Sequence, residues 1–272
     1  MKDVLKSFFE AENIEYYATL SYECLDVCRA YLTEREGLVP RSAVIFLIPY
    51  FSVEGVNLSS YAVARDYHGY IHSVTERLST ALSAVYPEYK YLGFGDHSPI
   101  NERRAASIAG LGILGDNGLL INERYGSYVF IAELITDAPP ELLGEVAPRE
   151  PLRCSGCSAC IAACPTGRLS SLAPCLSEIT QRKGELSEEE ISLMLSAGTV
   201  WGCDACQRVC PHNQNAKSTP IKFFTEALLP ELSTEAITKM SDSEFSERAY
   251  SWRGKNTVLR NLKLIDRDKK SD

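Results

Sequence analysis

Eight cysteines between residues 154 and 210 have the types and spacing to do chemistry. Cys154, Cys157, Cys160 and Cys164-Pro165 form C-x2-C-x2-C-x3-C-P, and a stretched second set follows as Cys175, Cys203, Cys206 and Cys210-Pro211. The first run is the spacing with which thiolates hold [4Fe–4S] clusters. Three closely spaced cysteines wrap three corners of one cubane, and the fourth, followed by proline, leaves in a new direction to ligate the other cluster. That rule assigns Cys154, Cys157, Cys160 and Cys210 to one cluster and Cys164, Cys175, Cys203 and Cys206 to the second. The crossing brings the clusters close together, which suits electron relay. Two plainer uses compete. Disulfides need an oxidising compartment, whereas Met1-Lys2-Asp3 opens onto no apolar leader, so a cytoplasmic chain is expected. Structural zinc needs separate groups of four ligands and leaves the two C-x3-C-P runs without a reason.

The 272 residues include 28 Lys and Arg against 36 Asp and Glu, a net charge of −8, with 45% hydrophobic residues. That is ordinary for a soluble globular protein with ample core in one large or two modest domains. No stretch has the apolar length that crosses a bilayer. The acidic balance argues against a protein that coats nucleic acid generally, although phosphate responds to local charge. Of ten cysteines only Cys24 and Cys28 lie outside the cluster segment. They stand four apart in an expected helix, where core packing accounts for them.

The elements that position these residues follow from periodicity. Residues 4–9 read as an amphipathic helix, 14–18 as a strand, and the continuous apolar run 43–48, ended by Pro49, as a buried strand. Tyr67, Tyr70, Ile71, Val74, Leu78, Leu82 and Val85 recur at helical spacing within 61–85, and Pro87 follows. His68 and His72 sit four apart there; lacking the Glu of a zincin signature, they read as surface or cofactor-facing. Residues 89–94 form a strand leading into Gly95-Asp96-His97-Ser98-Pro99, after which Ser98 caps a helix over 100–109. Asp96 thus occupies a loop at a strand end, a place used by functional and capping carboxylates alike.

Gly110-Leu111-Gly112-Ile113-Leu114-Gly115 fits G-x-G-x-x-G, with Glu133 at a plausible ribose distance, but a helix precedes the glycines and a strand follows. The dinucleotide fingerprint needs the reverse, so the glycines read as a turn approaching some other cofactor. Residues 119–121 and 127–134 read as neighbouring strands joined by a hairpin loop at 122–126. A proline-rich connector places the domain boundary near 140–152. Beyond it, Ser187 to Glu190 is a capping box, residues 258–265 form a helix, and the charged last residues fray. The expected fold is α+β. Residues 1–145 form a sheet-and-helix domain for cofactor and substrate, 146–222 a small ferredoxin-like two-cluster domain, and 223–272 a helical segment.

Several stretches together resemble epoxyqueuosine reductase, a cobalamin-dependent iron–sulfur enzyme of tRNA modification. They are Tyr61-Ala62 with Asp66-Tyr67-His68, Gly95 to Pro99 with Glu102-Arg103, Ala109 to Gly115 with Asn117, and Glu133-Leu134 with Thr136-Asp137. Cys154 to Gly167, Cys175-Leu176-Ser177, Gly202 to Pro211 and Leu259-Arg260-Asn261 extend the likeness over roughly residues 40 to 262. The resemblance implies a cobalamin in the N-terminal domain, with Tyr67, His68, His97, Gly110, Gly112, Gly115 and Asn117 as candidate contacts. It implies electrons passing from reduced ferredoxin or flavodoxin through both clusters to make cob(I)alamin, and an epoxide in the tRNA anticodon loop reduced to an alkene and water. Asp96 matches the family's catalytic aspartate, which protonates the oxygen as the C–O bond opens; burial against an apolar corrin face would keep it protonated. Full-length members carry a C-terminal helical-repeat extension that helps hold tRNA, whereas this chain stops soon after Asn261, a short form. Ile113 or Leu114 replaces the usual tryptophan of the glycine turn.

Two other functions use the same residues. A ferredoxin-like electron carrier would bind clusters but no cobalamin. A related reductase or activator would act on another corrinoid or small molecule. The basic residues available for phosphate, Arg103, Arg104, Arg153, Arg168, Arg253, Lys255, Arg260 and Lys263, are scattered and read by default as solvated surface.

Overall fold

The computed structural model describes residues 1–268; the fraying expected of the charged end falls on 269–272, outside the described residues. The chain divides into two compact units, Met1–Tyr50 with His68–Ser155, and Phe51–Tyr67 with the chain from Gly156 on. The units redistribute the segments expected from sequence. Residues 51–67 leave the first unit because their backbone is paired in the second: Leu58 bridges Trp201, Ser59 N–H donates to the Trp201 carbonyl at 2.7 Å and Thr219 N–H to the Phe51 carbonyl at 2.7 Å. The helices after residue 223 join the cluster-bearing unit, with no separate C-terminal body.

The first unit is a four-stranded antiparallel sheet with helices on both faces. Its strands are β1 (Tyr17–Ser21), β2 (Ser42–Pro49), β3 (Tyr91–Gly95) and β6 (Val129–Thr136), in the order β1-β2-β6-β3. β2 is buried along its whole length, as its unbroken apolar run requires. Helices α1 (Lys2–Ala11) and α3 (Tyr67–Ser83) cover one face. There the Phe9 ring lies 5.1 Å from Phe46, and Gly93 and Gly95 let Thr75 and Ile71 approach the edge strand. On the other face α2 (Leu32–Glu36) and α4 (Glu102–Ile108) bury Leu32, Ala105, Ala106 and Ile108 against Ile45, Leu47, Ile131 and Ile135. The period-2 alternation of strand side chains produces this division.

Three local expectations are corrected. The strand at 119–121 does not pair with the one after it. β5 (Leu120–Ile121) pairs with β4 (Ile113–Leu114) in a separate small ribbon, while β6 enters the main sheet. Asn122 explains the separation: its side chain accepts from Arg124 N–H at 2.9 Å and Tyr125 N–H at 3.1 Å and donates to the Leu111 carbonyl at 2.9 Å, closing a tight turn between them. The cap of α4 is Asn101, whose Oδ1 accepts from Arg104 N–H at 3.3 Å, while Ser98 instead accepts from Ile100 N–H. Cys24 and Cys28 do not share a helix; Cys24 ends a 3-10 turn, half-buried, and Cys28 is exposed.

The second unit is helical: α6 (Ala159–Ala162), α7 (Leu176–Gln181), α8 (Glu188–Ala197), α9 (Ala205–Arg208), α10 (Thr234–Lys239), α11 (Asp242–Ser246) and α12 (Lys255–Asp268). The helix α5 (Pro140–Leu143) belongs to the first unit. The capping box of Ser187 and Glu190 opens α8 as its sequence requires. Leu176, Ile179 and Met194 form a core that Leu264 of α12 completes. Asn261, fully buried, donates to the carbonyls of Thr180 and Val200, both at 2.8 Å, and so fastens α12 to the segments around the cysteines.

Candidate active site and cluster site

The cysteines assigned to the second cluster come together. Cys164 follows α6, Cys175 caps α7, Cys203 precedes α9 and Cys206 lies in it. Burial raises the thiol of Cys206 to about 12, and the neighbouring thiols of Cys203, Cys175 and Cys160 push the same way. Cys203 is likewise raised by burial, with Cys175 and Cys164 adding to it. A group of thiols each of which makes its neighbours harder to ionise is what a cationic iron cluster relieves. Burial also acts on Cys164, but the Leu169 N–H, the Thr166 hydroxyl and further backbone N–H groups outweigh it and lower its pKa. N–H donors aimed at sulfur are the contacts that tune cluster potential, so the residues fit the group. In the first unit Cys154 is prepared in the same manner: its N–H donates to the Leu114 carbonyl at 3.0 Å and its Sγ accepts from Asp116 N–H at 3.3 Å.

Asp204, between two of these cysteines, was not singled out by sequence. It is buried, and its carboxylate accepts from the Ser59 hydroxyl, from Ser60 N–H at 2.7 Å and from Gln207 Nε2 at 3.1 Å. A charged residue inside C-x2-C is the signal that could have found it.

In the first unit β3 ends at Gly95, and the chain reverses over one residue. Asp96 has φ +61° and His97 N–H donates to the Gly95 carbonyl at 2.7 Å. A three-residue turn with positive central φ is the rare, strained kind of γ-turn, and such strain in a non-glycine residue marks a candidate functional position. His68, in the first turn of α3, meets the Asp96 carboxylate with Nε2 3.1 Å from Oδ2. His72, one turn on, faces Glu76 at the surface instead. His97 is exposed beside Asp96 and Tyr67 is buried.

Two further carboxyls stand behind Asp96. Glu133, on β6 opposite Phe94 of β3 and Ile45 of β2, is fully buried. Burial pushes it well above the usual carboxylate range, Glu102 and Asp96 add to the shift, and the Ser98 hydroxyl opposes it. Glu102, at the start of α4, is raised to about 7 by burial and by the Asp96 charge, against Arg103 and the Asp96 N–H, which its carboxylate accepts. Both residues fall within the stretches that carry the family resemblance, but their grouping depends on tertiary packing; a glutamate in the middle of an apolar strand is the sign that the sequence offers.

The glycine turn serves the chain itself. A Cβ at Gly112 would sit 2.6 Å from the Ile121 carbonyl, at Gly115 2.4 Å from Asn117 Oδ1, and at Gly110, with φ +79°, 2.9 Å from the Arg149 guanidinium. Asn117 accepts from Leu119 N–H at 3.2 Å through Oδ1, while its Nδ2 is buried with no partner among the described residues. An orphaned amide donor beside such a turn fits the carboxamide-fringed rim of a corrinoid. Several of the basic residues are engaged by the protein: Arg104 with Asp26, Lys255 with Asp242, Arg103 with the Gly118 carbonyl and Arg260 with the carbonyls of Arg182 and Gly184. Arg253 lies 3.8 Å over the exposed Trp252 ring.

Residues 153–213 match the model of the 4Fe-4S double cluster binding domain. Epoxyqueuosine reductase of Staphylococcus aureus (strain NCTC 8325 / PS 47) is 30% identical over 289 residues, covering 96% of this chain and 72% of that protein. The chain belongs to the epoxyqueuosine reductase family. The enzyme of Lactococcus garvieae (strain Lg2) is 33% identical over 210 residues, which span 72% of this chain and 57% of that one. The structure of epoxyqueuosine reductase from Streptococcus thermophilus shares the fold, with TM-score 0.77 and 23% identity over 97% of this chain and 80% of that one. An epoxyqueuosine reductase solved with a tRNA-Tyr epoxyqueuosine-modified stem loop shares it to the same degree, TM-score 0.77 at 23% identity over the same shares of the two chains. The α+β fold and the two-cluster domain expected from sequence are those of this family. Among the described residues no helix is long and apolar enough to cross a membrane.

Proposed function

We propose that this chain is an iron–sulfur, cobalamin-dependent oxidoreductase that reduces epoxyqueuosine in tRNA to queuosine. The observation that carries the reading is Asp96, held in a strained turn against His68, in a chain whose relatives carry that activity in their names. Removing an epoxide oxygen as water consumes two electrons and two protons. The eight cysteines would hold two clusters, and reduced ferredoxin or flavodoxin is the proposed donor. Bound cobalamin supplies a strongly reducing nucleophile, and the protein supplies binding, orientation and protons.

The side-chain roles follow from geometry. Asp96 delivers a proton to the oxygen as the C–O bond opens, and His68 fixes the carboxyl through Oδ2 so that the acid faces one direction. Asn117, with Nδ2 free to donate, His97 and His68 would hold the corrinoid. Gly110, Gly112 and Gly115 act by letting the turn fold closely enough to present Asn117.

Anaerobic titration of the cluster-reconstituted protein with cob(II)alamin, followed by EPR and repeated with Asp96→Ala, tests this. A stoichiometric, altered Co(II) spectrum is expected in both proteins, with a different line shape in the variant. No binding with both clusters intact would leave an electron carrier as the better account.

A further inference from the structure

The reaction needs two protons, and Asp96 carries one at a time. We propose that Glu102 and Glu133 form a proton store behind Asp96, from which Glu102 returns a proton to Asp96 once Asp96 has released its own. This rests on the reading of Asp96 as the proton donor and extends it to the source of the second proton.

Three observations converge on it. Glu133 is at 0% exposure in the centre of β6, with the Ser98 hydroxyl close by but neither carboxyl oxygen in hydrogen-bond geometry with a partner among the described residues. A carboxylate cannot be held there without a cation or donors, so the group keeps its proton. Glu102 accepts the Asp96 N–H, while its Oε2 is buried and unpartnered, so one oxygen is tied to the Asp96 turn and the other is open to a proton. The strand register fixes the arrangement: Glu133 is directly opposite Phe94, two residues before Asp96, and α4 carries Glu102 over the same face of the sheet.

The surroundings favour a held proton. Glu102 faces Asp96 from the turn and Glu133 from β6, and Arg103 of its own helix is the cation that opposes them. The Arg103 guanidinium is engaged with the Gly118 carbonyl, and His68 of α3 meets Asp96. Ser98 contributes a hydroxyl beside Glu133. Carboxyls grouped in this way titrate as a unit and retain a proton that an isolated one would lose. A purely structural residue on β6 would be apolar like its neighbours, since a buried acid without partners costs stability.

The balance is simple. Asp96 gives its proton to the epoxide oxygen; the proton of Glu102 moves to Asp96; Asp96 gives that proton to the same oxygen, which leaves as water. The two electrons come from the external low-potential donor. Asp96 and Glu102 regain their protons from solvent between turnovers, while the buried Glu133 keeps its own throughout.

The test uses enzyme loaded with both clusters and cobalamin, an epoxyqueuosine-modified tRNA stem loop, and Glu102→Gln, Glu102→Asp, Glu133→Gln and Asp96→Asn. Wild-type kcat should fall as pH rises through about 7, where Glu102 loses its proton. Glu102→Gln should lower kcat about 10²-fold with KM unchanged, and abolish that pH limb. Glu102→Asp, which still titrates, should restore the limb. Infrared spectra of the resting enzyme above pH 7, where Glu102 is ionised, should show a protonated-carboxyl C=O band that Glu133→Gln removes, a readout independent of turnover and of the folding of the Glu102 variants. A wild-type pH limb unchanged in Glu102→Gln, or no protonated-carboxyl band in wild type, overturns the store. Should Asp96→Asn turn over like wild type, the reading of Asp96 fails instead.

Discussion

Gly93 couples the helix that carries His68 to the strand that ends at Asp96, and replacing it with alanine tests that coupling. A Cβ at Gly93 would lie 2.2 Å from Thr75 Cβ, 2.4 Å from its Oγ1 and 2.8 Å from its Cγ2. A rotamer change clears the last two but not the first, because Thr75 Cβ is fixed to the α3 backbone. The helix must therefore withdraw by about an ångström, giving up packing along its buried face. Overpacking typically costs about 1–3 kcal/mol, and a collision with a backbone-fixed atom belongs at the top of that range. For a chain of this size about 3 kcal/mol lowers Tm by roughly 6–12 °C. The withdrawal also lengthens the 3.1 Å contact between His68 and Asp96, so turnover falls with stability. Thermal denaturation of anaerobically prepared protein, followed by circular dichroism, would compare Gly93→Ala alone and combined with Thr75→Ala or Thr75→Gly. Only glycine at 75 removes the colliding atom, so only it should restore Tm, less about 1 kcal/mol for glycine in a helix. A Gly93→Ala protein as stable as the parent, or rescue by Thr75→Ala equal to that by Thr75→Gly, would mean that the Thr75 Cβ is not what the new methyl group meets.

Other consequences can be checked with the same material. Glu102 and Glu133 both have raised pKa values in the folded state, so the stability they contribute is full below the unfolded carboxylate pKa. It is lost as pH rises through about 7 for Glu102. Urea midpoints should drop between mildly acid and mildly alkaline pH, with Glu102 contributing on the order of 2 kcal/mol after solvent screening, and Glu102→Gln should flatten the dependence. Asp204→Ala strands the buried Ser59 hydroxyl and Ser60 N–H and should cost about 3–5 kcal/mol; Asp204→Asn, which keeps one acceptor, should cost about half, both read from thermal loss of cluster absorbance. Cys175→Ala should lower the iron content of the anaerobically purified protein by about half, whereas Cys24→Ala leaves it unchanged.

The cluster ligands were legible from sequence because their chemistry fixes residue type and local spacing together. The buried strand β2 was equally plain, since eight consecutive buried positions need an unbroken apolar run. Pairing was less so. The short loop at 122–126 suggested a hairpin, yet Asn122 closes its own turn and sends β5 to β4, a choice made by one side chain's long-range bond to Leu111. The division into units was also hidden, because residues 51–67 are held in the second unit by backbone bonds to residues about 140 to 180 positions away. At the site, Asp96 was marked by its place at a strand end, but its positive φ and its pairing with His68 depend on tertiary packing. The acid pair needed the β3–β6 register to bring Glu133 beside Phe94.

The central claim is the reduction of a tRNA-borne epoxide with protons drawn through Asp96. The most direct test is anaerobic incubation of the loaded, chemically reduced protein with an epoxyqueuosine-modified tRNA stem loop, followed by mass spectrometry of the nucleosides. The account predicts conversion to a product lighter by one oxygen, dependent on added cobalamin and abolished by Asp96→Ala. Unchanged epoxyqueuosine, from protein with both clusters reduced and cobalamin bound, would contradict it.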